Sequence, residues 1–245
     1  MPTGTVELIL NYGDPLVHLE PDGERRMPRF YVSGQRTQAV LPFVEGRLGL
    51  LIVSLYPWAL RELFPACVSQ TDCYADLEQL VPRLHLQRFT EAFEAADSEA
   101  TRTRAAYDFL TDLVTVEAQQ RVPVARAAVR RLVRDAGRTP VSQLADEFGF
   151  TGRHFARRFG AQVGLSPKRF SRVMRFQLAL AHCRRGSPNL AQIASTCGYT
   201  DQAHLSHEML EFSGRTPRKV VERARARSAD ALNDDGSSIF ECVYL

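Results

Sequence analysis

Hydrophobic residues change their period along the chain. Val6, Leu8 and Leu10 alternate with Glu7 and Ile9 ahead of the turn-forming run Asn11-Tyr12-Gly13-Asp14-Pro15, the period of a strand with one inward face. Phe30-Tyr31-Val32 before Ser33-Gly34 predicts a second strand, and Leu48 to Tyr56 reads as one buried on both faces. Pro57 opens a short helix, Trp58 to Phe64, which Pro65 stops. From Asp76 to Val116 the spacing turns helical: Leu77, Leu80, Leu84, then Phe89, Phe93, then Phe109, Leu110, Leu113 and Val114. Ala95 to Ser98 interrupts that run.

A third regime begins at Val124. Val124 to Asp135 predicts an amphipathic helix with Arg126, Arg130, Arg131 and Arg134 outward, ended at Gly137. Leu144-Ala145 followed by Gly149-Phe150-Thr151 reads as a helix, a glycine turn and the N-cap of another helix. In that second helix Phe155 and Phe159 share one face, while Arg153 and Arg157 project from the other. The unit occurs twice. Ile193-Ala194, Gly198-Tyr199-Thr200, Leu205, Met209, Gly214, Thr216 and Pro217 repeat Leu144-Ala145, Gly149-Phe150-Thr151, Phe155, Phe159, Gly164, Ser166 and Pro167. The offset grows from 49 to 50 residues at the second N-cap, so Asp201 takes the place of Thr151. Self-similarity of this length marks a duplicated supersecondary unit.

Between the copies, Ser166-Pro167 starts a long helix reaching about Arg184, with Phe170, Val173, Met174, Gln177, Leu178 and Ala181 as its buried stripe. At 1.5 Å per residue such a rod is on the order of 27 Å long. That length suits two short helices held about one DNA turn, roughly 34 Å, apart.

Charge sharpens this picture. Residues 1–118 carry 10 Arg against 17 acidic residues, net −7; residues 119–227 carry 21 Lys and Arg against 7 acidic, net +14; the tail from Ser228 carries −4. The basic part calls for a polyanionic partner and the acidic part does not. The division predicted is a β-rich domain at 1–75, a helical connector at 76–118, the basic domain at 119–227 and an acidic tail at 228–245. Ser228–Ser238 reads as flexible, and the apolar end Ile239 to Leu245 as either disordered or docked on the N-terminal part. The overall class is α+β: a small β-rich N-terminal domain, a helical connector and an all-α C-terminal domain.

Five scattered cysteines, no CxxC spacing and no secretory signal point to reduced thiols in the cytoplasm. The longest apolar run, Leu48 to Leu60, is short of the roughly 18 residues a membrane span needs. His182, Cys183, His204 and His207 lack metal-ligand spacing, so no metal, cofactor or catalytic group is expected.

The duplicated unit resembles the AraC/XylS family of bacterial transcription regulators over about Val124 to Val221. The resemblance rests on the paired Leu-Ala and Ile-Ala helix starts, on Gly198-Tyr199-Thr200-Asp201-Gln202-Ala203-His204-Leu205, and on Gly214-Arg215-Thr216-Pro217. It implies seven helices in two helix-turn-helix units that enter successive major grooves of double-stranded DNA. Carried over position by position, it assigns Arg153, Ala156 and Arg157 to bases in the first unit and Ala203, Ser206 and His207, flanked by Gln202, in the second. Arg158, Lys168, Arg169, Arg172, Arg218 and Lys219 fall to phosphates. Glu208 stands where the first unit has Arg158, and Leu210 where the family is often basic, so the second helix is expected to grip DNA less.

The N-terminal part, through Gly4 to Pro15 and Gly49 to Phe64, more weakly resembles a sensor domain of some members. It leaves room for a small-molecule effector, and for RNA polymerase as partner if the protein activates; the connector helices could mediate a homodimer or simply pack as a connector. Phe30, Tyr31, Phe43, Tyr56 and Trp58 could line an effector pocket or form core. The resemblance leaves open that Met1 is an internal start and that residues 1–75 form an incomplete barrel or sandwich. Two readings compete: a metal-dependent or DNA-repair enzyme fused to this module, and a docking protein that has lost DNA binding. Against the first, His18 is the only histidine ahead of the connector, and no nucleophile constellation appears.

Overall fold

In the computed structural model the described residues are 1–20, 23–65, 67, 71–114, 123–185, 189–230 and 243–244. The first part is built on two sheets. The strands β1 (Val6–Asn11), β4 (Phe30–Ser33), β6 (Leu50–Leu55), β7 (Tyr74–Asp76) and β8 (Val243–Tyr244) form a five-stranded sheet in the order β7-β4-β1-β6-β8. The strands β2 (Leu16–Glu20), β3 (Gly23–Arg26) and β5 (Leu41–Val44) form a three-stranded sheet in the order β3-β2-β5. The central strand β1 pairs antiparallel with β4 on one side (Leu8 opposite Val32) and with β6 on the other (Leu8 opposite Val53).

Both faces of β1 are covered, so the simple alternation read from its sequence does not separate core from solvent. Val6, Leu8 and Leu10 join Phe30, Val32, Leu51, Val53 and Leu55 in the main core, whereas Ile9 packs the opposite way with Leu16, Met27 and Tyr31 beneath the small sheet.

The helices α1 (Ala59–Leu63), α2 (Leu77–Leu80), α3 (Arg83–Glu94) and α4 (Glu99–Leu113) complete this domain. A capping box between Ser98 and Thr101 starts α4 where the sequence shows its interruption. Phe89, Phe93, Phe109 and Leu110 lie in the same core as the sheet. Residues 76–113 thus cover the sheet and share its core. Leu84, expected on the buried stripe, is exposed, as is Val114. Leu84 falls in the first turn of α3, before the helix reaches the sheet, and Val114 is the C-cap of α4. Leu48, expected in a buried strand, precedes β6 and is exposed. The boundary expected near Gln119 lies outside the described residues.

Among the described residues seven helices follow: α5 (Pro123–Arg134), α6 (Val141–Glu147), α7 (Gly152–Val163), α8 (Pro167–Arg184), α9 (Leu190–Thr196), α10 (Gln202–Ser213) and α11 (Pro217–Asp230). The long helix α8 has the predicted bounds, with the Ser166 side chain accepting from the Arg169 amide at its start. Its buried surface is wider than the predicted stripe. Phe176, Ala179, Leu180 and Cys183 are buried, while Gln177, Leu178 and Ala181 are only half-buried. A helix packed between two units must bury more than one face.

Trp58 and Glu62 reach from the first half into the second. Trp58 packs in the core of the helical domain and stacks on Tyr56 at 4.3 Å, and the Arg126 and Arg130 guanidiniums lie 5.8 and 5.9 Å from its ring centre. Arg126, expected to face outward, instead pairs with Glu62 of α1 at 2.6 Å. Among the five aromatics named for a pocket, Phe30, Tyr31 and Trp58 are core and Phe43 is exposed.

The start of the tail departs from its prediction, and its end takes the docked alternative. Residues 228–230 continue α11, and Val243–Tyr244 adds to the edge of β6 as a short parallel strand. Residues 231–242 lie outside the described residues.

Candidate nucleic-acid interface

Each helix-turn-helix unit is built by the same local chemistry. In the first, Gly149 takes φ +69°, its amide donates to Asp146 O and the Phe150 amide to Ala145 O. In the second, Gly198 takes φ +76°, with Gly198 donating to Ser195 O and Tyr199 to Ala194 O. Both are Schellman turns, and the left-handed residue that closes them is the position where glycine avoids a Cβ clash. The next helix is then capped by a side chain: Thr151 Oγ1 accepts from the His154 amide at 3.3 Å, and Asp201 Oδ1 accepts from the His204 amide at 2.7 Å. The one-residue insertion in the repeat therefore lies between Gly198 and its cap.

Inward, α7 buries Phe155, Phe159 and Val163, and α10 buries Leu205, Met209 and Phe212. Outward, Arg153, Arg157 and Arg158 of α7 are exposed and Ala156 is half-buried. Arg158 lies over the Phe150 ring at 5.2 Å, which holds it on the flank. On α10 the outer positions Gln202, Ala203 and His207 are exposed, while half-buried Ser206 donates its hydroxyl to Gln202 O at 2.9 Å. Lys168, Arg218 and Lys219 are exposed at the starts of α8 and α11. Gln202 and Arg218 line one surface depression with Asn189, Leu190 and Ala191. A flank position of the second unit and an expected phosphate contact thus lie together.

Arg169 and Arg172 are placed differently from the sequence expectation. Arg172 Nε donates to Glu208 Oε1 at 2.5 Å, and its other arm donates to Glu211. Arg169 donates to Glu211 Oε1 at 2.5 Å, and both guanidiniums lie over the Phe212 ring. These two arginines join the linker helix to α10. The sequence reading missed both carboxylates. It took Glu208 as a lost surface cation, yet Leu205, Glu208, Met209 and Phe212 stand at the i, i+3, i+4, i+7 spacing of a single inner face. Glu208 is accordingly only 2% exposed.

The electrostatics follow this packing. Burial pushes the Glu211 carboxyl up, but its bonds to Arg172 and Arg169 outweigh that and hold it below its ordinary value. Burial, with the Glu208 carboxylate second, pushes the Tyr199 phenol far above its usual range.

The N-terminal domain reaches the first unit at the end of α7. Gln35, fully buried, donates its side-chain amide to Val163 O, and Thr71 Oγ1 donates to Gly164 O at 2.7 Å. Arg169 also reaches Thr37 O at 3.4 Å, and Gln177 of α8 donates to Pro2 O. The orphan carbonyls at a helix C-terminus need donors, and here another domain supplies two. No sequence signal marked Gln35 or Thr71 for this role.

Among the described residues, no three His, Cys, Asp or Glu side chains gather as a metal site, and no helix is long and apolar enough to cross a membrane.

Residues 144–223 match a helix-turn-helix domain family. Over 96 residues the chain is 34% identical to an AraC-like transcription regulator of Streptomyces lividans, covering 39% of this chain and 32% of that protein. Over 77 residues it is 31% identical to the invasion protein InvF of Salmonella typhimurium, covering 31% of this chain and 36% of InvF. The chain thus spans about a third of the length of these curated relatives. The fold as a whole is similar to that of ToxT from Vibrio cholerae O395, solved bound to (E)-4-(8-methylnaphthalen-1-yl)but-3-enoic acid. The TM-score is 0.52 at 7% identity, over 91% of this chain and 92% of ToxT.

Proposed function

We propose that the C-terminal domain is of the AraC/XylS type, as its match to a helix-turn-helix family and its similarity to an AraC-like regulator support, and that the chain is a sequence-specific, double-stranded DNA-binding transcription regulator of the cytoplasm. The observation that carries the reading is the pair of helix-turn-helix units with the same turn and cap, joined by one continuous helix of 18 residues. A rigid linker fixes the distance and phase between two groove-entering helices.

In this reading Arg153, Ala156 and Arg157 face bases in one major groove, with Arg157 bidentate to a guanine edge. Gln202, Ala203, Ser206 and His207 face the next. Arg158, Lys168, Arg218 and Lys219 hold phosphates, which positions the domain without reading sequence. Arg169 and Arg172 do so at most from the edge, since their carboxylate partners fix them in place. The N-terminal domain then serves as the sensor. A ToxT structure carries a small organic acid, which supports a small-molecule effector here, and the contacts at Val163 and Gly164 supply a route to the first unit. The chemistry of this arrangement is recognition; no catalytic step enters it.

Selection of bound fragments from a genomic library, at two salt concentrations, tests the proposal. The expected result is one enriched motif with two half-sites about a helical turn apart, and binding that weakens steeply with salt. No enriched motif, with a flat salt response, would favour a docking protein that does not bind DNA.

A further inference from the structure

One turn of the N-terminal domain touches elements of both helix-turn-helix units. Residues 34–37 follow β4 and are braced by residues 71–73, which lead into β7. The Gly34 amide donates to Cys73 O at 3.0 Å and the Asp72 amide to Gln35 O at 2.9 Å. The Asp72 carboxylate in turn accepts from the Thr37 amide at 2.9 Å and from the Thr37 hydroxyl at 2.5 Å, and Arg36 Nε lies 3.6 Å from it. Asp72 sits in the left-handed region, at φ +48°. A non-glycine residue persists there when its surroundings over-determine it, and such residues gather at functional positions.

Two contacts leave this braced turn. Gln35, fully buried, donates to Val163 O at the end of α7. Two residues on, Thr37 O accepts from Arg169 of α8 at 3.4 Å. The other arm of Arg169 donates to Glu211 Oε1 of α10 at 2.5 Å, and its guanidinium lies 4.7 Å from the Phe212 ring centre. The second oxygen of Glu211 accepts from Arg172, which also holds buried Glu208. An unbroken path of hydrogen bonds therefore runs from Asp72 through Thr37, Arg169, Glu211 and Arg172 to Glu208, inside α10.

We propose that Asp72 is a positioning residue for both α7 and α10: by bracing residues 34–37 it sets the end of α7 through Gln35, and the seat of α10 on the linker helix through Thr37 and Arg169. That these helices read DNA rests on the function proposed above; the positioning itself does not.

The path needs an arginine at its centre. A planar guanidinium aims two donors at two separate acceptors, whereas a lysine ammonium is one point charge on a flexible stem. The links to carboxylates are charge-assisted and short. The 3.4 Å bond to the neutral Thr37 carbonyl is the weakest, near the limit for a hydrogen bond. A displacement of residues 34–37 therefore parts the path at that bond and frees one arm of Arg169. The same displacement draws Gln35 from Val163 O, so both helices answer to one movement.

The test follows amide hydrogen exchange in the full chain, without DNA, in the wild type, Asp72→Ala, Asp72→Asn and Arg169→Lys. Asp72→Ala should quicken exchange on the order of fivefold in the last turns of both α7 and α10, the loss of about one net hydrogen bond at each. Leu8, central in the main sheet, should keep its rate. Asp72→Asn, whose amide still bonds the Thr37 amide and hydroxyl, should restore rates to within about twofold. Arg169→Lys, which leaves Asp72 and Gln35 in place, should quicken the last turn of α10 alone. Quickening by Asp72→Ala at α7 without α10 overturns the path through Arg169. Equal quickening at α7, α10 and Leu8 makes Asp72 merely stabilising and overturns the proposal. Arg169→Lys decides the path even where Asp72→Ala does not fold, since unchanged exchange in its α10 overturns it. None of these readouts involves DNA, so their failure leaves the DNA-binding reading standing, and a failure to select any duplex leaves the exchange result to decide the positioning.

Discussion

The two helix-turn-helix units differ less in how they are built than in what each is tied to. Both turn at a left-handed glycine and cap with a side-chain oxygen. The first keeps three arginines exposed on α7, and the carbonyls at its end are held by the N-terminal domain. The second turns two carboxylates toward the linker helix and presents a near-neutral outer face. Under the proposed function, the unit whose charges face out serves as the reader, and the one whose charges are spent on a neighbour as a fixed reference. Under the proposed sensor role, a signal from the N-terminal domain would meet the first unit first, through Val163 and Gly164.

The sharpest way to break this comparison is at its buried charge. Glu208→Ala leaves Arg172 facing an emptied site in which only Glu211 remains. Breaking a buried pair in this way costs about 3 kcal/mol or more, and the partial exposure of Arg172, 24%, favours the lower figure. The equivalent change in the first unit, Arg158→Ala, removes an exposed cation resting on Phe150 and should cost about 0.5 kcal/mol. Urea denaturation of both variants reads the contrast; equal losses would mean that the clamp is not what distinguishes the units.

Next in size is the expected difference in reading. Arg157→Ala should lose about 1–3 kcal/mol of discrimination between the preferred and a substituted site. Lys168→Ala should weaken all duplexes about equally. Equal losses on specific and random DNA for Arg157→Ala would remove it as a reader. His207→Ala, on the neutral helix, should change discrimination less than Arg157→Ala does.

A smaller effect follows from pH. The folded-state pKa of Glu211 is depressed below its ordinary 4.5. Its contribution is therefore fully present above the ordinary value and is lost as pH falls through the lowered one. Stability measured from pH 6 downward should fall below about pH 4.5, and Glu211→Gln should flatten that part of the profile. An unchanged acid slope in the variant would show that the clamp carboxylate does not carry it.

Where a segment's environment is local, its structure was legible in the sequence. The turns at Gly149 and Gly198, the caps, the bounds of α8 and the outward arginines of α7 all follow from spacing and residue type. The failures share a cause: a distant segment supplies the partner. Arg126 looks outward on its own helix because nothing nearby in sequence reveals Glu62 or Trp58. Ile9 breaks the alternation of β1 because the second sheet covers that face. Gln35 and Thr71 carry no signal at all, since their partners are backbone carbonyls more than ninety residues away. Glu208 is the instructive middle case. Its inward position was readable from helical spacing, whereas comparison with the first unit, residue against residue, drew attention to its charge alone.

The smallest effect tests whether the units are as alike at their caps as their turns suggest. Thr151→Ala and Asp201→Ala each remove the oxygen that satisfies an orphan amide at N3, at a cost of about 1 kcal/mol. They should not be equal. Asp201 accepts at 2.7 Å against 3.3 Å for Thr151, and its negative charge adds a favourable interaction with the helix N-terminus, about 0.3–1 kcal/mol. Thermal unfolding should therefore place Asp201→Ala below Thr151→Ala, with the gap narrowing as salt screens the charge. The reverse order would mean that the insertion at the second turn costs that unit its cap, and that the carboxylate clamp alone holds α10 in register.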